Sequence, residues 1–195
     1  MRLIPAVLLV LATASSVAKD RKVAPPPATT PVARGSVTMK SEIYLEVEYG
    51  VDLPALRKIK GVPDRDRGAW GLVQVASGRV PSSIRVKALV DTSAASRRAI
   101  LENLLRQWWP AQNFRPDLPE VQAFLDFSGR ILNMQDAFEY RFAEGQVWVR
   151  YKDEDWRRFT AQNLCQAILR FNYQVGPANR EPMKAYENAL NDLLK

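Results

Sequence analysis

Apolar and polar positions change period several times along this chain, and each change marks an element. From Ser36, the residues Val37, Met39, Ile43, Leu45, Val47 and Tyr49 take one side of a period-two pattern, while Thr38, Lys40, Glu42, Tyr44, Glu46 and Glu48 take the other. Alternation of this kind belongs to a strand with one face on a core. Only Ser41 breaks it, so one long strand is expected to begin near Ser36. Val51 to Gly68 is irregular, with Pro54, Pro63 and the cluster Asp64-Arg65-Asp66-Arg67, and leaves room for a short helical turn over Leu53 to Ile59. Ala69 to Ala76 and Val80 to Val90 read as two strands joined through Ser77-Gly78. Pro81 delays regular pairing in the second until about Ser83.

Helical spacing takes over after Asp91-Thr92-Ser93, which supplies capping side chains. Arg97, Leu101, Leu104, Leu105 and Trp108 follow at that spacing until Pro110 ends the run. A second helix is predicted from Pro119 to Ser128, with Val121, Phe124, Leu125 and Ser128 on one face and Gly129 as its stop. The period then returns to two. Phe138, Tyr140 and Phe142, the Glu144-Gly145 turn, and Val147, Val149 and Tyr151 spell a hairpin, and Trp156 to Phe159 adds a short third strand. From Ala161 a helix carries Leu164, Ala167, Ile168 and Phe171 and closes at Gly176-Pro177. The last helix starts near Pro182 and presents Met183, Tyr186, Ala189, Leu190, Leu193 and Leu194 as one stripe. Strands then helices, twice over, is an α+β order. It predicts a mostly antiparallel sheet with helices packed on one face.

The first 35 residues have a different character. Met1 to Ala18 reads as a secretory signal peptide, with Arg2, the apolar run Leu3 to Ala12 and small residues beyond. The run is far shorter than the ~20 residues that span a bilayer, so a cleaved leader is expected and no transmembrane segment in the mature chain. Cleavage before Ser15 or before Lys19 satisfies the small-x-small rule equally. Lys19 to Gly35, with Pro25, Pro26, Pro27 and Pro31 among Ala and Thr, reads as a disordered proline-rich linker. Residues 36–195 then form one domain, and the chain is expected to be periplasmic or secreted.

Composition narrows the chemistry. The chain has 195 residues and no histidine, which removes Ser-His-Asp, Cys-His and zinc-His arrangements. Cys165 is the single cysteine, so no internal disulfide forms, and it is expected to be buried. The nine glycines are scattered with no phosphate-cradling spacing, and no cofactor is expected. Of the formal charge of +7, Arg2 departs with the leader and the linker holds a net +3, leaving +3 for the domain. That value is ordinary, and nucleic acid is not expected as a partner.

Candidate sites are few. Asp153, Glu154 and Asp155 share one tight turn, and carboxylates adjacent in sequence do not converge on a cation, so a solvated turn is preferred and no metal is expected. Trp108-Trp109, Trp148 and Trp156 either line an apolar cavity or fill the core; alternation sets Trp148 opposite the apolar side of its strand. Arg85, Lys87, Arg141 and Arg150 fall opposite core positions, facing solvent or an acidic ligand. Arg97 and Arg98 either bridge helix to sheet or keep that helix face soluble.

Three blocks carry a resemblance: Glu42-Ile43-Tyr44-Leu45-Glu46-Val47-Glu48-Tyr49, the strand-to-helix run Val86 to Arg98, and the hairpin-plus-helix block Glu139 to Gly176. Together they resemble the chalcone isomerase-like family, and its bacterial exported members in particular. The resemblance implies an open-faced β-sandwich, a large antiparallel sheet covered by helices with a ligand cleft between them. It further implies that Tyr44 matches the hydroxyl that fatty-acid-binding members turn toward a carboxylate, with Arg34 or Lys40 as the nearby cation. Trp148 completes the expected ligand-binding set. The plant enzymes' tyrosine at the start of the first helix has no counterpart here, because Ala94 and Ala95 occupy that region, so chalcone cyclisation is not expected. The favoured expectation is an exported, non-catalytic protein that binds a small apolar or fatty-acid-like ligand. The alternatives are an isomerase or lyase acting on an enone, in which a cation stabilises a developing oxyanion, and an envelope scaffold that binds a protein partner and whose cleft is filled by its own side chains.

Overall fold

The structure, a computed structural model, describes residues 24–39, 43–110, 114–173 and 180–195, and only the backbone at 38, 39, 43 and 44. Its elements in chain order are β1 (Thr30–Met39), β2 (Ile43–Val51), α1 (Leu53–Lys58), α2 (Arg67–Ala76), β3 (Ser82–Ala88) and α3 (Ala94–Trp108). There follow α4 (Pro119–Ser128), β4 (Ala137–Ala143), β5 (Gln146–Tyr151), β6 (Arg157–Phe159), α5 (Gln162–Tyr173) and α6 (Arg180–Leu193). The strands form one six-stranded sheet in the order β1-β2-β3-β4-β5-β6, each pair antiparallel. The α+β architecture expected from the sequence is the one observed.

Alternation fixes which face is covered. Ile84 and Ala88 of β3, Phe138, Tyr140 and Phe142 of β4, and Val147, Val149 and Tyr151 of β5 are buried on the inner face, where the helices pack. Their neighbours Arg85, Glu139, Arg141 and Arg150 take the outer face. The β4–β5 hairpin turns through Glu144 and Gly145, both at positive φ (52° and 71°), the backbone of a two-residue turn whose twist suits the strands. Ser93 caps α3 by accepting from the Ser96 amide at 3.2 Å. Cys165 is buried and free.

Three expectations need correction. The long strand predicted from Ser36 is two strands: β1 starts at Thr30, inside the stretch read as linker, and Met39 pairs with Ile43 across a reversal. Residues paired across an antiparallel ladder share a face. Since 39 and 43 have the same parity, the alternation runs through the reversal unbroken. Ala69 to Ala76, expected as a strand, belongs to α2. Gly68 and Gly71 let it lie close against α6; a Cβ on Gly68 would collide with the Glu187 carbonyl oxygen and one on Gly71 would sit 3.2 Å from Leu194. This contact overrides the strand preference of Val73 and Val75. Gly78, expected in a hairpin turn, instead takes positive φ just after α2 and terminates it. Met1 to Ala18 and Gly176-Pro177 lie outside the described residues.

Candidate functional site

Among the described residues, the inner side of the sheet carries one deeply buried cation. Arg97, in the first turns of α3, is 7 % exposed. Its Nε donates to the Ser128 carbonyl at the end of α4 at 2.6 Å, and its guanidinium lies 4.3 Å from the centroid of the Phe138 ring. The Tyr140 phenol lies against it. Among the described residues no carboxylate pairs with Arg97. A buried charge without a counter-ion is uncommon, because desolvation penalises it by several kcal/mol (order of magnitude) unless something offsets that. Burial accordingly lowers the guanidinium's pKa, with Tyr140 and Tyr151 acting the other way. Burial also raises the pKa of Tyr140, against the pull of the Arg97 charge.

Beside Arg97 the helical cover is thin. Val86 sits on the inner face of central strand β3, paired with Val47 on one side and Phe138 on the other. Both partners are buried, at 4 % and 0 % exposure, yet Val86 itself is only half-buried. The helix that carries Arg97 continues with Leu101, Leu104 and Trp108 at offsets of four, seven and eleven, so these share its face. All three are half-buried. A half-buried Val86 on the sheet, a half-buried apolar stripe on α3 and the buried Arg97 thus lie on the same side of the sheet.

Farther along the same interface the packing is closed. Tyr49, Tyr173 and Tyr186 bring their ring centroids within 5.5–5.7 Å of one another, each about 1 % exposed or less. Burial pushes all three phenols well above their ordinary pKa and lifts the Cys165 thiol to about 12. Phe124 stacks edge-on against Phe159 and Phe127 against Phe138.

The expected site residues are distributed differently. Arg34 is exposed and forms an ion pair with Glu48, its cross-strand partner, on the outer face and away from the helices. The β1–β2 register decides this, since Val47 and Tyr49 on either side of Glu48 are the inward residues. Trp148 also faces outward, 6 % exposed, as alternation required. Lys40 and the side chain of Tyr44 lie outside the described residues. Arg34 and Trp148 therefore do not meet beneath the helices. Arg97 is the residue sequence reasoning left open between bridging and solubility. Its place on the stripe with Leu101, Leu104 and Trp108 was the available signal.

The outer face is polar. Glu139 accepts from Arg141 at 2.8 Å and from Arg150 at 2.7 Å, and Lys152 pairs with Asp136 at 2.8 Å. Partial desolvation raises the Asp136 carboxyl, but hydrogen bonds from Lys152 and Tyr151 outweigh it and hold its pKa below the usual range. Asp136, Glu139, Arg150 and Lys152, with Arg85, line an open polar cleft of about 460 Å³ whose charges largely satisfy one another.

No family model matches the sequence, and no curated protein does. Among solved structures the chain is similar to a fatty-acid binding protein of Arabidopsis thaliana, with a TM-score of 0.65 at 13 % identity, covering 86 % of this chain and 93 % of that one. At that identity the likeness shows the fold. The chain has the chalcone isomerase-like fold: an open antiparallel sheet with helices over one face.

Proposed function

We propose that this chain is an exported, non-catalytic binding protein that holds a long-chain apolar acid between α3 and the sheet, with the acid's carboxylate at Arg97. The observation that carries the proposal is the buried guanidinium of Arg97, unpaired with any carboxylate among the described residues, on the side of the sheet where Val86 and the apolar stripe of α3 are only half-buried. The fold shared with a fatty-acid binding protein supports it. Each buried methylene contributes about 0.8 kcal/mol, so an acyl chain of ten methylenes supplies most of the affinity. The guanidinium then sets orientation through a two-pronged hydrogen bond to the carboxylate. Export rests on the Met1 to Ala18 leader, and a mature chain beginning at Ser15 or Lys19 in the periplasm or medium is the expected outcome of N-terminal sequencing.

Native mass spectrometry and calorimetry with dodecanoic and hexadecanoic acids and their methyl esters test the ligand class on the unaltered protein. One acid should bind per chain, and its ester at least tenfold more weakly, because the ester has no charge to offer Arg97. Arg97→Met should bring acid and ester to equal affinity. Equal binding of acid and ester to the unaltered protein, or binding of neither, overturns the proposal.

A further inference from the structure

Across the outer face of the sheet runs a transverse row of residues set by strand register: Gly50 beside Ser83, Ser83 beside Arg141, and Arg141 beside Trp148. Gly50 has no side chain and Ser83 a small one, which leaves a shallow trough there. The chain's own residues 24–29 lie in it. Thr29 fills the space a Cβ on Gly50 would occupy, and its hydroxyl hydrogen-bonds that of Ser83. Three residues upstream, the Pro26 carbonyl accepts from Arg141 Nη1 at 2.9 Å. Pro25, Pro26 and Pro27 favour the extended polyproline helix, which rises about 3.1 Å per residue, against a strand spacing of about 4.8 Å. The segment therefore advances one strand in one to two residues, and beyond Pro26 the next strand is β5.

There the row ends on Trp148, whose indole N–H is buried and has no acceptor among the described residues. Alongside, the guanidiniums of Arg141 and Arg150 pack on the Trp156 ring, 4.6 and 4.8 Å from its centroid. A donor aimed at a proline carbonyl beside packed indole rings is part of the chemistry by which grooves recognise polyproline segments. Such ligands are already extended, and their carbonyls have no internal partner.

We propose that this trough is a binding groove for extended, proline-rich peptide segments, held in cis by residues 24–29. A partner's proline-rich segment competes with the chain's own for Arg141, next to the buried Trp148 indole. This groove lies on the opposite side of the sheet from Arg97 and stands or falls independently of the acid-binding proposal.

The test uses the full chain and a synthetic peptide of the sequence Lys22 to Thr30, followed by tryptophan fluorescence. With Pro25, Pro26 and Pro27 all changed to Gly, the cis segment is weakened and the peptide should bind saturably, at least tenfold tighter than to the unaltered chain, whose tethered copy competes at about millimolar effective concentration. Trp148→Phe should remove the fluorescence change, Arg141→Ala should weaken binding at least tenfold, and a peptide with Ala at the three proline positions should not bind. If the triple variant fails to fold, millimolar peptide on the unaltered chain should still displace the segment and give the same Trp148-dependent signal. Absence of saturable binding in both arms, or binding indifferent to the prolines or to Arg141, overturns the proposal.

Discussion

Phe138 and Glu139 are neighbours in β4, yet they occupy different solvents. Phe138 is fully buried among Phe127, Tyr151 and the Arg97 guanidinium, whereas Glu139 holds Arg141 and Arg150 on a face with no helical cover. The inner face is held by apolar burial and ring packing, which salt does not screen. The outer face is held by ion pairs and by a strap of the chain's own prolines. The difference teaches where stability resides and where the molecule can be altered without unfolding it.

The widest separation comes from truncating the two neighbours in turn. Phe138→Ala removes a ring packed on all sides and should cost about 3–5 kcal/mol in urea unfolding. A cost near that of an outer-face substitution would mean the inner face is looser than its burial implies. Gly68→Ala comes next. The added methyl meets the Glu187 carbonyl, which belongs to helix backbone and yields little, so a loss of about 1–3 kcal/mol is expected in the same assay. Gly61→Ala makes the reference, because a Cβ there meets nothing within 4 Å, although Gly61 sits at φ +85° and carries its own backbone penalty.

These glycines also show why part of the fold was hidden in the sequence. Phe138, Tyr140 and Phe142 against Glu139 and Arg141 declare their faces by alternation alone, and the β4–β5 hairpin was legible for that reason. In α2 the residues Leu72, Val73 and Val75 look like strand, and only the partner helix α6 explains why Gly68 and Gly71 serve a helix instead. The β1–β2 reversal was invisible because Met39 and Ile43 keep parity across it. For the candidate site, the spacing of Arg97, Leu101, Leu104 and Trp108 is readable in the sequence, but the half-burial of Val86 and the lack of a carboxylate partner for Arg97 among the described residues require the three-dimensional arrangement. Arg34 falls in the stretch read as linker, and its place on the outer face depends on a β1–β2 register that the local pattern does not fix.

Alkaline pH separates the two faces more gradually. The Cys165 thiol is raised from 9.0 to about 12 in the folded chain, so the unfolded chain releases its proton first. Its stabilising contribution is complete below about pH 9 and is lost as pH climbs toward about 12. Each pH unit in that window removes at most about 1.4 kcal/mol for this one group. Tyr49, Tyr173 and Tyr186 shift in the same direction and steepen the loss above about pH 10. Urea midpoints should hold constant from pH 7 to 8.5 and then fall, and Cys165→Ala should flatten the first part of the fall. A midpoint that rises above pH 9 would contradict the burial of these groups.

The smallest effect belongs to the outer ladder. Glu139→Gln removes the charge between Arg141 and Arg150 while keeping an amide that can still accept a hydrogen bond. Both arginines keep the Trp156 ring, and Arg141 keeps the Pro26 carbonyl. Glu139 is only partly exposed, so its pairs are screened less than those of a fully solvated residue, but solvent reaches all three side chains. The expected cost is within about 1 kcal/mol, shrinking further at high salt because screening shortens the reach of the unaltered pairs to about 3 Å at 1 M. A loss above about 2 kcal/mol that persists in salt would show that the ladder supports the sheet as the inner core does, and that the strap over it is part of the fold's foundation instead of a replaceable ligand.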